Sequence, residues 1–489
     1  MGRTIVQLKN KWKIKLDIQS KSNFNSLIYG VIFLYLVLPK TTTFAAQWEI
    51  EPSIYFAGTY IDNVFLTPSD TEISDYVGQV NPGIDIEMNS QRSNLDLAYE
   101  MQNIFYSDLS EFDDTYHYLN TRGDVQLLPD LFFVEATLGH TQQPISRDAG
   151  IPVDNITLSA NRTNLDLASV SPFFRTQFGR SLVGELRYRK AWLNYDAVEL
   201  SDSEEQQVIA LLDSPPTSGR RLLWSLIYDY RLIEPETNLD SRLERSNLEI
   251  DYSLTRQLGI LAGGGYEHNE YDEINATRVE DGPVWYIGFR WSASHANTLT
   301  CRIGERFFGR TANIEFLRTS RRWTLGASYD EEFRTATDIL LNNQELGDVT
   351  DPILRPGDPL PSSDVFLEKR TELTATRDYS KTILDITLYY RDRENQQTGE
   401  DELIYGGELG IDWQFLPRTK LEMNFTAEHY TFPEGVREDN IQIVNMLIEH
   451  SLTRDITTGL GYQQNRRDST NISSEYTQNQ LTVNFEIIF

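Results

Sequence analysis

Cysteine is almost absent from this chain, which has only Cys301 among its 489 residues. A lone cysteine excludes a disulfide framework and a cluster of thiolate metal ligands. Basic residues are also scarce, because 44 Lys and Arg stand against 73 Asp and Glu and leave a formal net charge of −29. Such a chain lacks the positive charge that neutralises phosphates, so we expect no nucleic-acid partner.

The recognised signatures of enzymes are missing as well. No G-x-S-x-G, P-loop or Rossmann glycine pattern stands in a strand–turn–helix context. None of the six histidines has the spacing of metal ligands. We therefore predict no catalytic residues, no cofactor and no metal site. One minor alternative stays open, a catalytic group assembled from separate strands, for example His429 with neighbouring carboxylates.

The N-terminus has the pattern of a secretory signal peptide. A long basic segment is followed by the apolar run LIYGVIFLYLVL (27–38) and by small residues around Ala45 and Ala46. This order of basic, apolar and small residues is typical of a cleaved signal, with an uncleaved anchor as the alternative. We predict a signal peptide over residues 1–46. Its removal takes away seven basic residues and one acidic residue, and so changes the net charge from −29 to −35.

After residue 46 there is no apolar run long enough for a membrane helix, and the dominant period is two. NLDLAYEM (94–101), ILDITLYYR (383–391) and KLEMNFTAEHY (420–430) each place apolar side chains on one face and polar side chains on the other. A soluble sandwich and a membrane barrel both show this alternation. The connections favour the barrel, because short turns alternate with long polar segments along the chain, among them 142–163 and 269–282, as in outer-membrane barrels. The stretch 206–224 is predicted as one further hairpin.

The spacing of these segments predicts one all-β domain over residues 47–489. It is a transmembrane antiparallel up-and-down barrel of about 22 strands, within a range of 18–22. The last nine residues, LTVNFEIIF (481–489), alternate strictly and end on Phe489. This resembles the C-terminal strand by which outer-membrane proteins are recognised for assembly. We therefore expect outer-membrane lipid and the barrel-assembly machinery as partners, and a location in the outer membrane of a Gram-negative bacterium.

A repeated phrase supports the same architecture. IDYSLTR (250–256) and IEHSLTR (448–454) share their apolar and polar positions. In each copy the alternation predicts an outward apolar row, an inward acidic residue and a tight turn into the next strand. The repeat is interpreted as a periplasmic hairpin that occurs more than once, and not as a duplicated binding site.

The inward row of the predicted barrel is rich in carboxylates. By alternation, the following residues are predicted to line the lumen: Asp96, Glu100, Glu249, Asp251, Asp385, Glu408, Asp412, Glu422 and Glu428. Some arginines, among them Arg187, Arg302 and Arg306, face the same way. Two interpretations remain, a water-filled path that favours cations or neutral sugars, and a paired, non-conducting interior.

Several segments resemble a known family. They carry Thr59-Tyr60 with Asp62-Asn63, Pro82-Gly83, Gln143-Pro144-Ile145-Ser146, Asn161-Arg162-Thr163 and Ser171-Pro172. In these segments the chain resembles the PEP-CTERM (exosortase) system-associated outer-membrane proteins, most densely over roughly its first 150 mature residues. The resemblance implies a bacterium whose exosortase loci accompany exopolysaccharide and biofilm genes, with polysaccharide as a possible cargo. It implies no specific activity.

These patterns lead to one main functional hypothesis and two others. The main one is a channel or export barrel linked to exopolysaccharide, without a plug domain and with the long loop near residues 335–365 folded inward as a constriction. The second is a structural or matrix-binding barrel that acts through acidic loops such as DDT (113–115), SDSEE (201–205) and GEDE (399–402). The third is a barrel enzyme, which the missing motifs disfavour.

Overall fold

The computed structural model describes residues 46–489, apart from 216–220, 237–239, 274–275, 295, 347–364, 397–398 and 434–435. The side chains of 272–278 and 344–346 also lie outside the description. The predicted signal peptide therefore falls almost entirely outside the described residues.

Within the described residues the chain forms 22 β-strands and one α-helix of three turns. The strands are β1 Gln47–Ile61, β2 Asp75–Asn89, β3 Ser93–Tyr106, β4 Asp114–Leu128, β5 Phe132–Gln143, β6 Thr163–Phe178, β7 Leu182–Tyr195, β8 Ser203–Asp213, β9 Leu222–Pro235, β10 Ser241–Ser253, β11 Leu258–Glu273, β12 Ala276–Ser294, β13 Asn297–Arg306, β14 Gly309–Thr319, β15 Trp323–Thr335, β16 Val365–Asp378, β17 Thr382–Asn395, β18 Asp401–Leu416, β19 Thr419–Thr431, β20 Glu438–Ser451, β21 Ile456–Ser469 and β22 Tyr476–Ile488. The helix α1, Ala336–Leu346, follows β15.

Each strand pairs antiparallel with the next one in the chain, and the last strand pairs with the first. The closing register joins β1 and β22 from Ser53 opposite Ile488 to Ile61 opposite Gln480. Closure leaves no unpaired strand edge, which a sheet in lipid could not tolerate. The predicted closed barrel of about 22 strands is confirmed.

The alternation in the sequence becomes the two faces of the wall. On β10, Leu248, Ile250 and Tyr252 are exposed on the outside, whereas Asp251 between them is largely covered and paired with Arg290. The second copy of the repeat behaves in the same way, because Met446 and Ile448 of β20 are exposed outward. Both copies end at a four-residue turn, 254–257 and 452–455, so the repeated hairpin is confirmed.

Short and long connections mark the two ends of the barrel, here called the short-turn end and the long-loop end. The hairpin predicted over 206–224 is present as β8 and β9. The expected long loop over 269–282 is wrong, because β11 runs to Glu273 and β12 begins at Ala276. Most of this polar segment extends two long strands, since polar residues do not interrupt strand pairing. The turn between β13 and β14 is tight and requires Gly309, whose φ is +121°.

The helix α1 begins where β15 ends. The Thr335 hydroxyl accepts the Asp338 backbone N–H at 3.0 Å, which caps the helix, and Asp338 itself lies in the first turn. A capping threonine and a first-turn carboxylate both favour a helix start. No helix among the described residues is long and apolar enough to cross a bilayer.

Candidate functional site

The inner surface of the barrel is the candidate site, and its carboxylates fall into two groups. One group lies in the short-turn half of a wall that runs from β17 through β22 and β1 to β3. It contains seven of the predicted residues: Asp96, Glu100, Asp385, Glu408, Asp412, Glu422 and, higher on the wall, Glu428. Glu249 and Asp251 lie on β10, on the other wall. Alternation in the sequence predicts that all nine residues face inward, but it does not predict which of them lie on the same wall.

The first group, apart from Glu428, belongs to a larger set that we call the acidic wall. It consists of Glu49, Glu51, Asp85, Glu87, Asp96, Glu100, Asp385, Glu408, Asp412, Glu422, Glu449 and Glu486. Strand register places several of these side by side, since Glu49 is opposite Glu87, Glu87 is opposite Asp96, and Asp412 is opposite Glu422. Like charges that face each other on neighbouring strands repel. Arg122 of the neighbouring β4 forms an ion pair with Asp96, and Lys420 forms ion pairs with Glu422 and Glu449.

Four members of the acidic wall were not predicted from the sequence: Glu49, Glu51, Asp85 and Glu87. Glu449 is the inward acidic residue of the second repeat copy, and Glu486 follows from the alternation of residues 481–489. A usable signal was present, because Trp48 and Ile50 alternate with the two glutamates of β1 and are exposed on the outside. The alternation of apolar and acidic residues in β1 is as clear as that in β3. The pairing of Glu87 with Asp96 could be known only from the structure.

The opposite wall carries an arginine ladder whose members are paired. The ladder consists of Arg187, Arg189, Arg231, Arg245, Arg290, Arg302 and Arg306 on β7 to β13. Arg290 Nε lies 2.8 Å from Asp251, and Arg302 Nη2 lies 3.2 Å from Glu249. Arg306 Nη2 lies 2.8 Å from the buried Glu267. The two predicted acids of β10 are therefore neutralised. Among the described residues, seven members of the acidic wall form no ion pair: Glu49, Glu51, Glu87, Glu100, Asp385, Asp412 and Glu486.

Glu249 shows how the local sequence builds one of these contacts. It is opposite Gly263 of β11, and Gly263 is opposite Tyr286 of β12. The Tyr286 ring crosses over Gly263 and its hydroxyl donates to Glu249 at 2.6 Å. A Cβ on Gly263 would stand 2.1 Å from that ring, so only glycine permits this contact in its present form.

The β5–β6 loop, residues 144–162, lies against the inner face at the long-loop end. The buried Arg467 of β21 donates to Ala149 O and Arg147 O, each at 2.5 Å, and its Nε is 2.8 Å from Asp439. Asp154 accepts from Gln463 at 3.1 Å and from Gln480 at 2.7 Å. The loop thus spans the inner rows of β20 to β22.

Residues of the family-like motifs hold this loop in shape. The Asn161 amide accepts the Ser146 N–H at 2.8 Å and donates to Ser146 O at 2.6 Å. Arg162 donates to Asp154 O at 2.7 Å and to Thr157 O at 2.6 Å. At the far side Ile156 is buried with Ile61, Val64 and Val77. Asn161-Arg162 and Ser146 therefore cross-link a loop that follows the inner face at the long-loop end.

Arg147 ties the same loop to β18. Its Nε lies 2.9 Å from Glu402, and its guanidinium stands 4.3 Å above the Tyr430 ring. Burial disfavours the charged form of Arg147, but Tyr430 and Glu402 more than offset it, so the pKa lies above its ordinary value. The guanidinium stays charged at any physiological pH.

The helix α1 lies against the inner face of β6 to β9. Leu340 and Leu341 are buried in one cluster with Leu165, Leu167 and Leu193. Asp338 is ion-paired with Arg189 at 3.0 Å and with Arg231. The prediction that the loop near 335–365 folds inward is confirmed for residues 336–343, and residues 347–364 lie outside the description.

Comparison with known proteins gives a fold and no family. No family model and no curated protein matches the sequence. A mutant of the ferric enterobactin receptor from Pseudomonas aeruginosa, in complex with enterobactin, has a TM-score of 0.50, with 10% identity over 90% of this chain and 81% of that chain. The siderophore receptor PirA from Acinetobacter baumannii has a TM-score of 0.44, with 10% identity over 90% and 80%. OccK2 (OpdF) of Pseudomonas aeruginosa has a TM-score of 0.37, with 9% identity over 90% and 98%.

The chain folds as an outer-membrane-type β-barrel. At 10% identity the likeness to the ferric enterobactin receptor extends to the fold alone. The chemistry of the barrel must be argued from its own lumen.

The alternative of a catalytic group assembled from separate strands is wrong for its named example, His429 with neighbouring carboxylates. His429 faces outward, stacked on Tyr405 with ring centroids 4.7 Å apart, and its Nδ1 is 2.9 Å from Asn440. Glu428 faces inward and accepts from Tyr430 at 2.7 Å. Adjacent strand residues point to opposite faces, so these two cannot form one catalytic group. Among the described residues no group of three or more His, Cys, Asp or Glu is arranged to hold a metal ion.

Proposed function

We propose that this barrel is a channel in the outer membrane of a Gram-negative bacterium and that solutes pass along its acidic wall. The observation that carries the proposal is the unequal charge of the two walls. Seven of the twelve carboxylates of the acidic wall form no ion pair among the described residues, whereas the charges of the arginine ladder on the opposite wall are paired. Such a lumen attracts cations and hydrates neutral polar solutes such as sugars.

The loops take the place of a separate plug in this proposal. Barrels of about 22 strands are wide enough that natural examples usually hold a plug. Here the β5–β6 loop and α1 lie on the inner face and narrow the mouth from two sides. We infer a constricted channel, and not a receptor that works through a plug domain.

A connection with exopolysaccharide export rests on the resemblance to the exosortase-associated proteins. The polar lumen is compatible with a sugar polymer as cargo, and the β5–β6 loop carries some of the family-like motifs. Assembly by the barrel machinery is part of the same proposal, with Phe489 exposed at the end of β22 as the recognition element.

The test is single-channel recording of the purified, heat-modifiable protein in a planar bilayer. Discrete conductance steps that are blocked by soluble oligosaccharide support a sugar-compatible channel. A protein that inserts, keeps its heat-modifiable migration and yet gives no conductance would sink the proposal.

The matrix-binding alternative loses support from the loops it relies on. Asp113 accepts the Tyr106 N–H at 2.8 Å, and Asp202 accepts the Tyr195 N–H at 2.7 Å. Glu205 is buried beneath Arg189, and Glu402 pairs with Arg147 and Arg393. These four carboxylates hold the barrel ends together and are not free to bridge external cations.

A further inference from the structure

We propose that Arg189 and Arg231 form a binding site for the carboxylate of a small solute in the lumen, and that Asp338 occupies this site as a tethered competitor. The inference goes beyond the channel function but concerns the same lumen. It names a chemical class of ligand, an organic anion, and a residue of the chain that takes its place.

The geometry at Asp338 is that of a bound carboxylate. Its two oxygens are shared between two guanidinium groups from different strands, with Oδ1 3.0 Å from Arg189 Nη2 and Oδ2 in contact with Arg231 Nη1. Arginine is the residue best suited to carboxylates, because its donors match the two oxygens. Asp338 reaches this site from the first turn of α1, although it is 149 residues from Arg189 in the chain.

A second carboxylate, on a strand of the barrel, contacts both arginines. Glu205 of β8 is 2% exposed, and its Oε1 lies 2.9 Å from Arg189 Nη2 and 3.8 Å from Arg231 Nε. Its Oε2 accepts from the Thr335 hydroxyl at 3.3 Å, and we assign Glu205 as a positioning residue. When Asp338 leaves, Glu205 keeps both arginines oriented toward the lumen.

Arg189 and Arg231 together are called the clamp, and there is space beside it for the rest of a solute whose carboxylate the clamp binds. A cavity of about 510 Å³ adjoins it, with Asp338 and Asn342 of α1 on one side. Its other lining residues are mostly polar: Glu135, Ser171, Arg187, Arg189, Gln207, Arg231, Glu332 and Arg334. Without Asp338 the two arginines keep Glu205 and, at 3.8 Å from Arg231, Asp229 as ionic partners, so an entering carboxylate would restore the hydrogen bonds that Asp338 gives up. The hydroxyl groups of an acidic sugar would find donors and acceptors on every side.

Because Asp338 is attached to the chain, its removal is expected to raise the affinity of the site for a free carboxylate. A carboxylate fixed to the chain competes at an effective concentration in the millimolar range, so its removal strengthens binding of a free carboxylate. Glucuronate serves as the probe, with glucose as its uncharged counterpart. Calorimetry in detergent should show weak glucuronate binding to the native chain and an affinity about tenfold or more higher for Asp338→Ala.

The controls separate this site from the rest of the lumen. Asp251→Ala removes an inner aspartate that also pairs with an arginine, Arg290 at 2.8 Å, but involves no loop. It should leave glucuronate binding at the native level. Adding Arg231→Ala or, in a second variant, Arg189→Gln to Asp338→Ala should abolish the gain, with heat-modifiable migration showing that each barrel is intact.

The result that overturns the inference is equal glucuronate affinity in the native chain and in Asp338→Ala, or a gain that glucose shows as well. Because binding is measured in solution, the outcome does not depend on conductance. A barrel that binds glucuronate as described but conducts nothing would overturn the channel proposal and leave this site standing.

Discussion

At the scale of single residues, glycines and buried ion pairs decide how the inner surface is packed. Gly263 matters because the Tyr286 ring lies where its side chain would be, and that ring orients Glu249 toward Arg302. Its neighbour Gly264 has only an ordinary contact, 3.7 Å from a would-be Cβ to Val284 O. The two glycines are adjacent in the sequence and alike in type, so they form a matched pair.

We expect Gly263→Ala to lower the free energy of unfolding by about 1–3 kcal/mol, because the added methyl group overpacks against Tyr286. Denaturant unfolding in detergent measures the difference. Gly264→Ala should change the free energy of unfolding far less. Equal effects of the two substitutions would show that the contact across Gly263 contributes nothing specific.

The residue scale also shows where sequence reasoning stops. Alternation alone places Asp251 and Glu249 inside, and the neighbouring exposed Leu248 and Ile250 agree with it. Their partners Arg290 and Arg302 come from β12 and β13, across an intervening strand or two. Facing depends on local period, whereas pairing depends on register between strands that are distant in the chain.

At the scale of elements, the strands were predictable and the loops were not. A strand can be predicted from its own alternation of apolar and polar residues, as for residues 383–391, which lie within β17. The β5–β6 loop has no such period, and its anchor Arg467 lies 318 residues away from Ala149. Inward folding of α1 was predicted from loop length, but its contact with Arg189 and Arg231 required the structure.

Arg467 is expected to hold the β5–β6 loop against the inner face. Arg467→Ala leaves Asp439 buried with fewer partners and frees the carbonyl groups of Arg147 and Ala149. Removing one partner of a buried ion pair typically destabilises a protein by about 3–5 kcal/mol. We expect the β5–β6 loop to detach from the inner face before the strands are affected. Limited trypsin digestion should then cut after Arg147, which is covered in the native barrel.

The neighbouring Arg466 supplies the control. It faces outward, is half exposed and pairs with Asp468 at 2.8 Å. Arg466→Ala should leave the loop as resistant to trypsin as in the native chain. An Arg467→Ala barrel that stays uncut after Arg147 would mean that other contacts fix the loop.

At the scale of the whole molecule, the charge of the lumen is divided between two walls. The acidic wall lies on β17 to β22 and β1 to β3, and the arginine ladder lies on β7 to β13. Only barrel closure brings β17 to β22 next to β1 to β3, because the first and last strands pair. The sequence predicts acidic lumen residues, but their concentration on one wall follows from the ring order of the strands.

The most direct measurement of the central claim is the reversal potential of the reconstituted barrel under a KCl gradient. The account predicts selectivity for K⁺ over Cl⁻, because seven carboxylates of the acidic wall form no ion pair among the described residues. Changing Glu100→Gln, Asp412→Asn and Glu486→Gln together should reduce that selectivity, whereas the exposed set Glu72→Gln, Glu111→Gln and Asp130→Asn should not. A reversal potential that shows no cation preference, or that is the same in the native barrel and in the lumen triple variant, would contradict it.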